Sequence, residues 1–379
     1  MNIQRRRLDA PGRALSLAVS TALVFSSLLT APAFGQSETS EANSASATNA
    51  ASATNWRVIV LPQVDLWYHG LATAGLQGLG PYDLYEPGYA ARLNVSKAEA
   101  QTAPTAFDDR VAGFGSALAR DPAFEVFHFV PLYFASSAVE PMLGALEVVG
   151  AAEGAPAAVD VLARFGANAV AGTISRPDQR AVLTDWTSAL RAEWDGFFAD
   201  YWRELAVRNA SHLQSIQAEW NDQFAPHLAA YLKEYRLDGG VLVLSDPVGP
   251  EGRIFEGVPG NRSDNIVVVG FDEDAGPRAP LYAAVRELCF PLVREVLAGQ
   301  PVAANRASSA SRSSTAAVRC GAYLLDRFAP ELAPGYRSSF TRNASGDPAQ
   351  VTAAFDRKYA TDAALDAAMQ NRLGAIPGR

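Results

Sequence analysis

Two cysteines and four histidines in 379 residues leave little material for transition-metal or thiol chemistry. The histidines, His69, His128, His212 and His227, never stand three or four apart, so no single helix offers two imidazoles to one metal. A GxSxG elbow is also missing, and Ser245-Asp246-Pro247 reads as a turn at a strand end rather than a nucleophile. The glycines between Gly75 and Gly80 lack a strand-to-helix setting and a following Lys-Ser or Lys-Thr pair, which removes the basis for a phosphate loop. Positive charge is scarce as well. The formal net charge is -8, which argues against a nucleic-acid partner.

The one basic stretch lies at the start. Arg5, Arg6, Arg7 and Arg13 precede an apolar run from Ala14 to Leu29, and Ala31-Pro32-Ala33 follows as a small-x-small cleavage signal. That is the layout of a signal peptide over 1–33, and its serine-broken apolar run is shorter than the ~20 residues a membrane span needs. No cysteine follows the run, so lipid attachment is not expected, nor is a membrane span after cleavage. Losing the four arginines and Asp9 takes away a net +3 and leaves about -11 on the mature chain. Residues 34–55 form a disordered leader: from Ser37 to Asn55 they are Ser, Ala, Thr and Asn with Glu38 and Glu41 as the charges and no aromatic group, too little burial to offset the ordering entropy. The chain therefore reads as a periplasmic or secreted bacterial protein with one large domain over 56–379.

Within that domain the apolar period changes once. The half from 56 to 238 is helical. It opens on a strand, Trp56 to Leu61, and a short helix, Asp65 to Ala72. Candidate helices follow at 106–119, 131–149 and 157–165. Two amphipathic aromatic helices, 185–207 and 213–235, come next, with Pro226 expected to kink the second. No internal repeat stands out. The half from 239 to 379 begins with short β-type runs at 240–244, 253–256 and 265–270, whose connections suggest an antiparallel meander. A helix from Pro280 to Ala298 comes next, kinked by Pro291. A Ser-Ala-Arg linker to Thr315, a helix over 316–328 and two Ala-rich helices after Pro348 complete the chain. The class is α-rich α+β, with a short, mostly antiparallel sheet packed against the 280–298 helix.

That helix carries Arg286-Glu287-Leu288-Cys289-Phe290. An HExxH motif sets two zinc-binding histidines four apart around a general-base Glu; here the Glu is present and both ligand positions are replaced. Together with Leu61-Pro62-Gln63-Val64-Asp65-Leu66 and the strands from Val241 to Gly270, this segment resembles an uncharacterised bacterial family of exported, gluzincin-like proteins related to HExxH metallopeptidases. The likeness covers most of the mature chain. It implies a zincin-like fold, Glu287 as the remnant of the general base, Arg286 and Phe290 at the two lost ligand positions, and a third-ligand position at Asp326 or Glu331. With two of three ligands gone, zinc is not expected and neither is another cofactor. Arg286 then either pairs with an acid where the metal once sat or forms an ordinary exposed helix pair with Glu287.

Three further features bear on function. Cys289 and Cys320 either close a disulfide, which an oxidising compartment permits, or remain buried free thiols. Asp65 and His69 lie one helical turn apart, so the acid can orient the imidazole; with Tyr82 and Tyr85 from the aromatic loop they outline a possible cleft. The leading expectation is a peptidase-like protein without catalysis that binds a peptide or protein in the former cleft. A hydrolase built from Asp65, His69 and Glu287 is the alternative, and a structural envelope protein the second. Neither substrate nor oligomeric state is legible.

Overall fold

The computed structural model describes residues 55–78, 83–152, 161–257, 265–271, 276–300, 306–341 and 347–378. The signal peptide, the leader as far as Thr54, and Tyr82 lie outside them. Four strands, β1 (Asn55–Ile59), β2 (Gly239–Ser245), β3 (Arg253–Phe255) and β4 (Ile266–Gly270), form one sheet in the order β1-β2-β4-β3. Helices make up most of the rest. The first group is α1 (Pro62–Thr73), α2 (Tyr89–Glu99), α3 (Val111–Arg120), α4 (Val130–Tyr133), α5 (Val139–Gly150), α6 (Val161–Thr173), α7 (Pro177–Glu193) and α8 (Ala199–Arg208). The second is α9 (Ala210–Glu219), α10 (Ala225–Glu234), α11 (Ala279–Leu288), α12 (Phe290–Ala298), α13 (Arg306–Phe328), α14 (Ala333–Thr341), α15 (Pro348–Lys358) and α16 (Ala363–Ala375). The α-rich α+β class stands. Among the described residues no helix is long and apolar enough to cross a membrane.

The sheet is mixed, which corrects the expected antiparallel meander. β2 runs parallel to both β1 and β4, and only β3 is antiparallel, with Arg253 opposite Val268 and Phe255 opposite Ile266. The physical reason is burial on both faces. Val241 and Val243 of β2, with Ile266 and Val268 of β4, face a core built by α1 to α8, while Leu242, Leu244, Val267 and Val269 face a second core built by α9 to α16. Strands covered on both sides read as unbroken apolar runs and suit parallel pairing. The division between the cores also departs from the expected split at residue 238, because α9 and α10 pack with the C-terminal helices.

The two aromatic helices share a motif that the sequence reading missed. Ala192-Glu193-Trp194 and Ala218-Glu219-Trp220 each lead into a π-turn, at Trp194–Phe198 and Trp220–Phe224, where the N–H of Ala199 or Ala225 donates to a carbonyl five residues back. In the second copy Pro226 follows directly after the turn, at the start of α10, while the first copy makes the same turn with Asp200 in that place. In the 280–298 helix Pro291 cannot donate to the carbonyl of Glu287, and the helix divides at Cys289 into α11 and α12. The expected Ser-Ala-Arg linker is helical from Arg306 onward, since α13 is continuous to Phe328.

Candidate functional site

The end of α11 buries charge. Arg286 is 0% and Glu287 1% exposed, so they are not an ordinary surface pair. Arg286 Nη1 donates to Glu287 Oε1 and its Nη2 to Ser314 Oγ at 2.6 Å. Its guanidinium also lies over the Phe290 ring, 5.2 Å from the centroid. The two positions where an HExxH helix would place metal ligands are thus in contact with each other, one turn apart on the same face.

A second buried arginine completes the group. Arg253 opens β3 and donates from Nη1 to Glu251 Oε1 at 2.6 Å and to the Gly252 carbonyl at 2.7 Å. Its guanidinium rests over Phe129, 5.7 Å from the ring centroid. Between β3 and α11 sits Gly252, whose N–H donates to the Glu287 carboxylate. A Cβ there would stand 2.5 Å from the Val268 carbonyl oxygen and 2.9 Å from Glu287 Cγ, so only glycine permits this approach. Burial pushes the Glu287 carboxyl above its ordinary range, while Arg286, Arg253 and the Gly252 amide oppose the shift.

These groups form the floor of a cleft of about 770 Å³, in the range of ligand sites. Arg253, Glu287 and Ser314 line it together with an apolar wall that includes Phe129, Phe255, Phe290 and Leu297. β3 forms one side. Among the described residues β3 pairs with β4 alone, so its other edge is unpaired.

The expected third-ligand residues are elsewhere. Asp326 pairs with Arg337, and Glu331 lies 3.5 Å from His227; both acids are about half exposed. Because α13 starts early, Ser314 is the residue that meets Arg286, and Asp326 lies twelve positions further on, ~18 Å along the helix axis. Among the described residues no cluster of three or more His, Cys, Asp or Glu is spaced to hold a metal. The residues at the two ligand positions do not fit zinc, since a guanidinium and a phenyl ring offer no lone pair.

Asp65, His69 and Glu287 have separate partners and do not act as one set. Asp65 accepts from Trp202 Nε1 at 2.7 Å, and burial raises its carboxyl to about 7 against the nearby Ser245 hydroxyl and the Trp202 bond. His69 meets Tyr89 Oη at 3.1 Å through Nδ1 and Glu193 Oε1 at 3.4 Å through Nε2, with its ring stacked on Phe198. Tyr85 lies not beside His69 but 2.7 Å from His128 Nδ1. The acid that holds His69 is therefore Glu193, not Asp65. Burial alone would raise Glu193, yet His69, Lys97 and Thr105 hold it at about 2; Lys97 Nζ is 2.7 Å away. His69 is itself lowered by burial. This network is closed to solvent at His69 and Glu193. It ties α1 and α2 to the first π-turn.

Cys289 and Cys320 are free, buried thiols. They hydrogen-bond to each other, with Tyr231 alongside, and burial followed by the mutual contact pushes Cys289 upward. A thiol so placed is a poor nucleophile. Reading the sequence missed Arg253, Glu251 and Ser314. Arg253 had a signal: strand alternation puts it on one face with Phe255, and a charge opening a short apolar strand needs a partner. Comparisons with protein-family models, curated proteins and solved structures find no match.

Proposed function

We propose that the chain is an exported, zincin-like protein whose cleft binds a peptide and does not cleave it. The observation that carries this reading is the Arg286 guanidinium, bonded to Glu287 and stacked on Phe290 between the two former ligand positions. A general base must be free to take a proton from water, whereas Glu287 is held by an arginine and a backbone amide. The unpaired edge of β3 beside an apolar wall suits an extended peptide, whose main chain would pair with the strand while its side chains enter the cleft. Metal analysis of the purified protein combined with a peptide-library cleavage assay tests the proposal. The expected result is retention of peptides without hydrolysis and no stoichiometric zinc. Zinc at one equivalent with cleavage that disappears in Glu287→Gln would refute it.

A further inference from the structure

The free edge of β3 lies between two apolar faces. Ile254 packs with the core of α9 to α16 and Phe255 with that of α1 to α8. The cleft continues this division beyond the strand: Phe290 and Leu297, which line it, pack with the first core, and Phe129, which also lines it, packs with the second. Phe255 further meets the rings of Tyr133 and Phe165, with centroids 5.4 and 6.2 Å away, and Phe165 is 45% exposed on α6. The charges that line the cleft are already matched. Arg253 is paired with Glu251, Glu287 with Arg286, Glu256 with Arg294 and Arg312 with Asp362. A charged side chain drawn into the cleft would lose water without gaining a free partner.

We infer that the cleft selects an extended peptide segment whose apolar side chains stand at successive positions, added to the sheet beside β3. The inference rests on the peptide-binding reading and names the class of sequence that the same site takes. Side chains of a strand alternate between its two faces. A strand with one wet face therefore needs every second residue apolar, whereas a strand covered on both faces needs an unbroken apolar run. The α12 wall on one side and the Phe129, Tyr133 and Phe165 rings on the other impose the second pattern. Gly252 marks where the pairing stops: its N–H already donates to Glu287 and its C=O accepts from Arg253 Nη1, so the added segment lies along β3 beyond it.

The test uses the full chain and end-blocked peptides of one composition, each titrated by calorimetry. Acetyl-Lys-Ser-Leu-Phe-Val-Leu-Ser-Lys-amide carries its apolar residues in succession, and acetyl-Leu-Ser-Phe-Lys-Val-Ser-Leu-Lys-amide alternates them. The first should bind about tenfold more tightly or better, because it buries large apolar side chains on both walls rather than on one. N-methylation at every second residue of the first peptide should weaken binding several-fold more in one phase than in the other, since alternate N–H groups of an added strand face β3. Leu297→Ser and Phe165→Ser, one on each wall, should each weaken the first peptide. The peptide comparisons in the unaltered protein stand even if a variant folds poorly. Binding of the alternating peptide as tightly as the first, equal loss in both methylated phases, or a loss confined to one wall overturns the inference and leaves peptide binding intact. Binding of neither peptide refutes both readings.

Discussion

Replacing Arg286 by Met isolates the central claim about the buried pair. Methionine is unbranched and keeps apolar contact with Phe290, so the change removes charge more than volume. Deleting one member of a buried ion pair costs about 3–5 kcal/mol, because the other is left as an uncompensated charge. Arg253 and the Gly252 amide still act on Glu287, which places the expected cost near the lower end, about 3 kcal/mol. For a folded region of this size that lowers Tm by about 5 °C. The pH dependence has a definite sign. Without Arg286 the Glu287 carboxyl rises further above its unfolded value, so the folded state retains a proton that the unfolded state releases. The penalty is therefore small near pH 4, where both states are protonated, and grows as pH rises toward neutrality. Urea denaturation of the wild type, Arg286→Met, Glu287→Leu and the double variant, at pH 4.5 and 8, measures both effects. The double variant should cost less than the sum of the singles by about 2 kcal/mol or more. A cost below about 1 kcal/mol for Arg286→Met, or a coupling near zero, would refute the view that the pair is a tightly held unit.

Other outcomes follow from the same physics. Asp65 is held at about 7, so between about pH 4 and 7 the folded state keeps a proton that the unfolded state loses, and stability falls as pH rises through that window. Asp65→Asn keeps an acceptor for Trp202 and should be more stable than wild type at pH 8, by at most about 4 kcal/mol, but not at pH 4; thermal melts at both values check this. Gly252→Ala should destabilise by about 1–3 kcal/mol through its clash with the β4 backbone and Glu287, read from the urea midpoint. A thiol reagent should label neither cysteine in the native protein and both after denaturation.

Much of the fold is visible locally. The 55–59 strand, α1, the paired aromatic helices, the short strands after 239 and the divide at Pro291 all follow from apolar period and proline position. Sheet order does not. β1 and β2 pair in parallel across more than 180 residues, and nothing in either strand's own pattern names its neighbour. The start of α13 was hidden because its first turns are serine and alanine, a composition shared by linkers and by helix faces that pack closely.

The chemistry of the candidate site divides along the same line. Residue identities alone establish that Arg286-Glu287-Leu288-Cys289-Phe290 lacks the imidazoles of a zinc helix, and that no pair of histidines stands at helical spacing. Periodicity likewise settles that the chain is α-rich with a few buried strands. What surrounds the motif was decided by tertiary structure. Arg286 meets Ser314 and Phe290 rather than Asp326, and Arg253 arrives from β3 to share Glu287's surroundings. His69 is held by Glu193 in place of its helical neighbour Asp65. The reason is that a buried charge selects partners by distance and desolvation in three dimensions, neither of which one chain segment encodes.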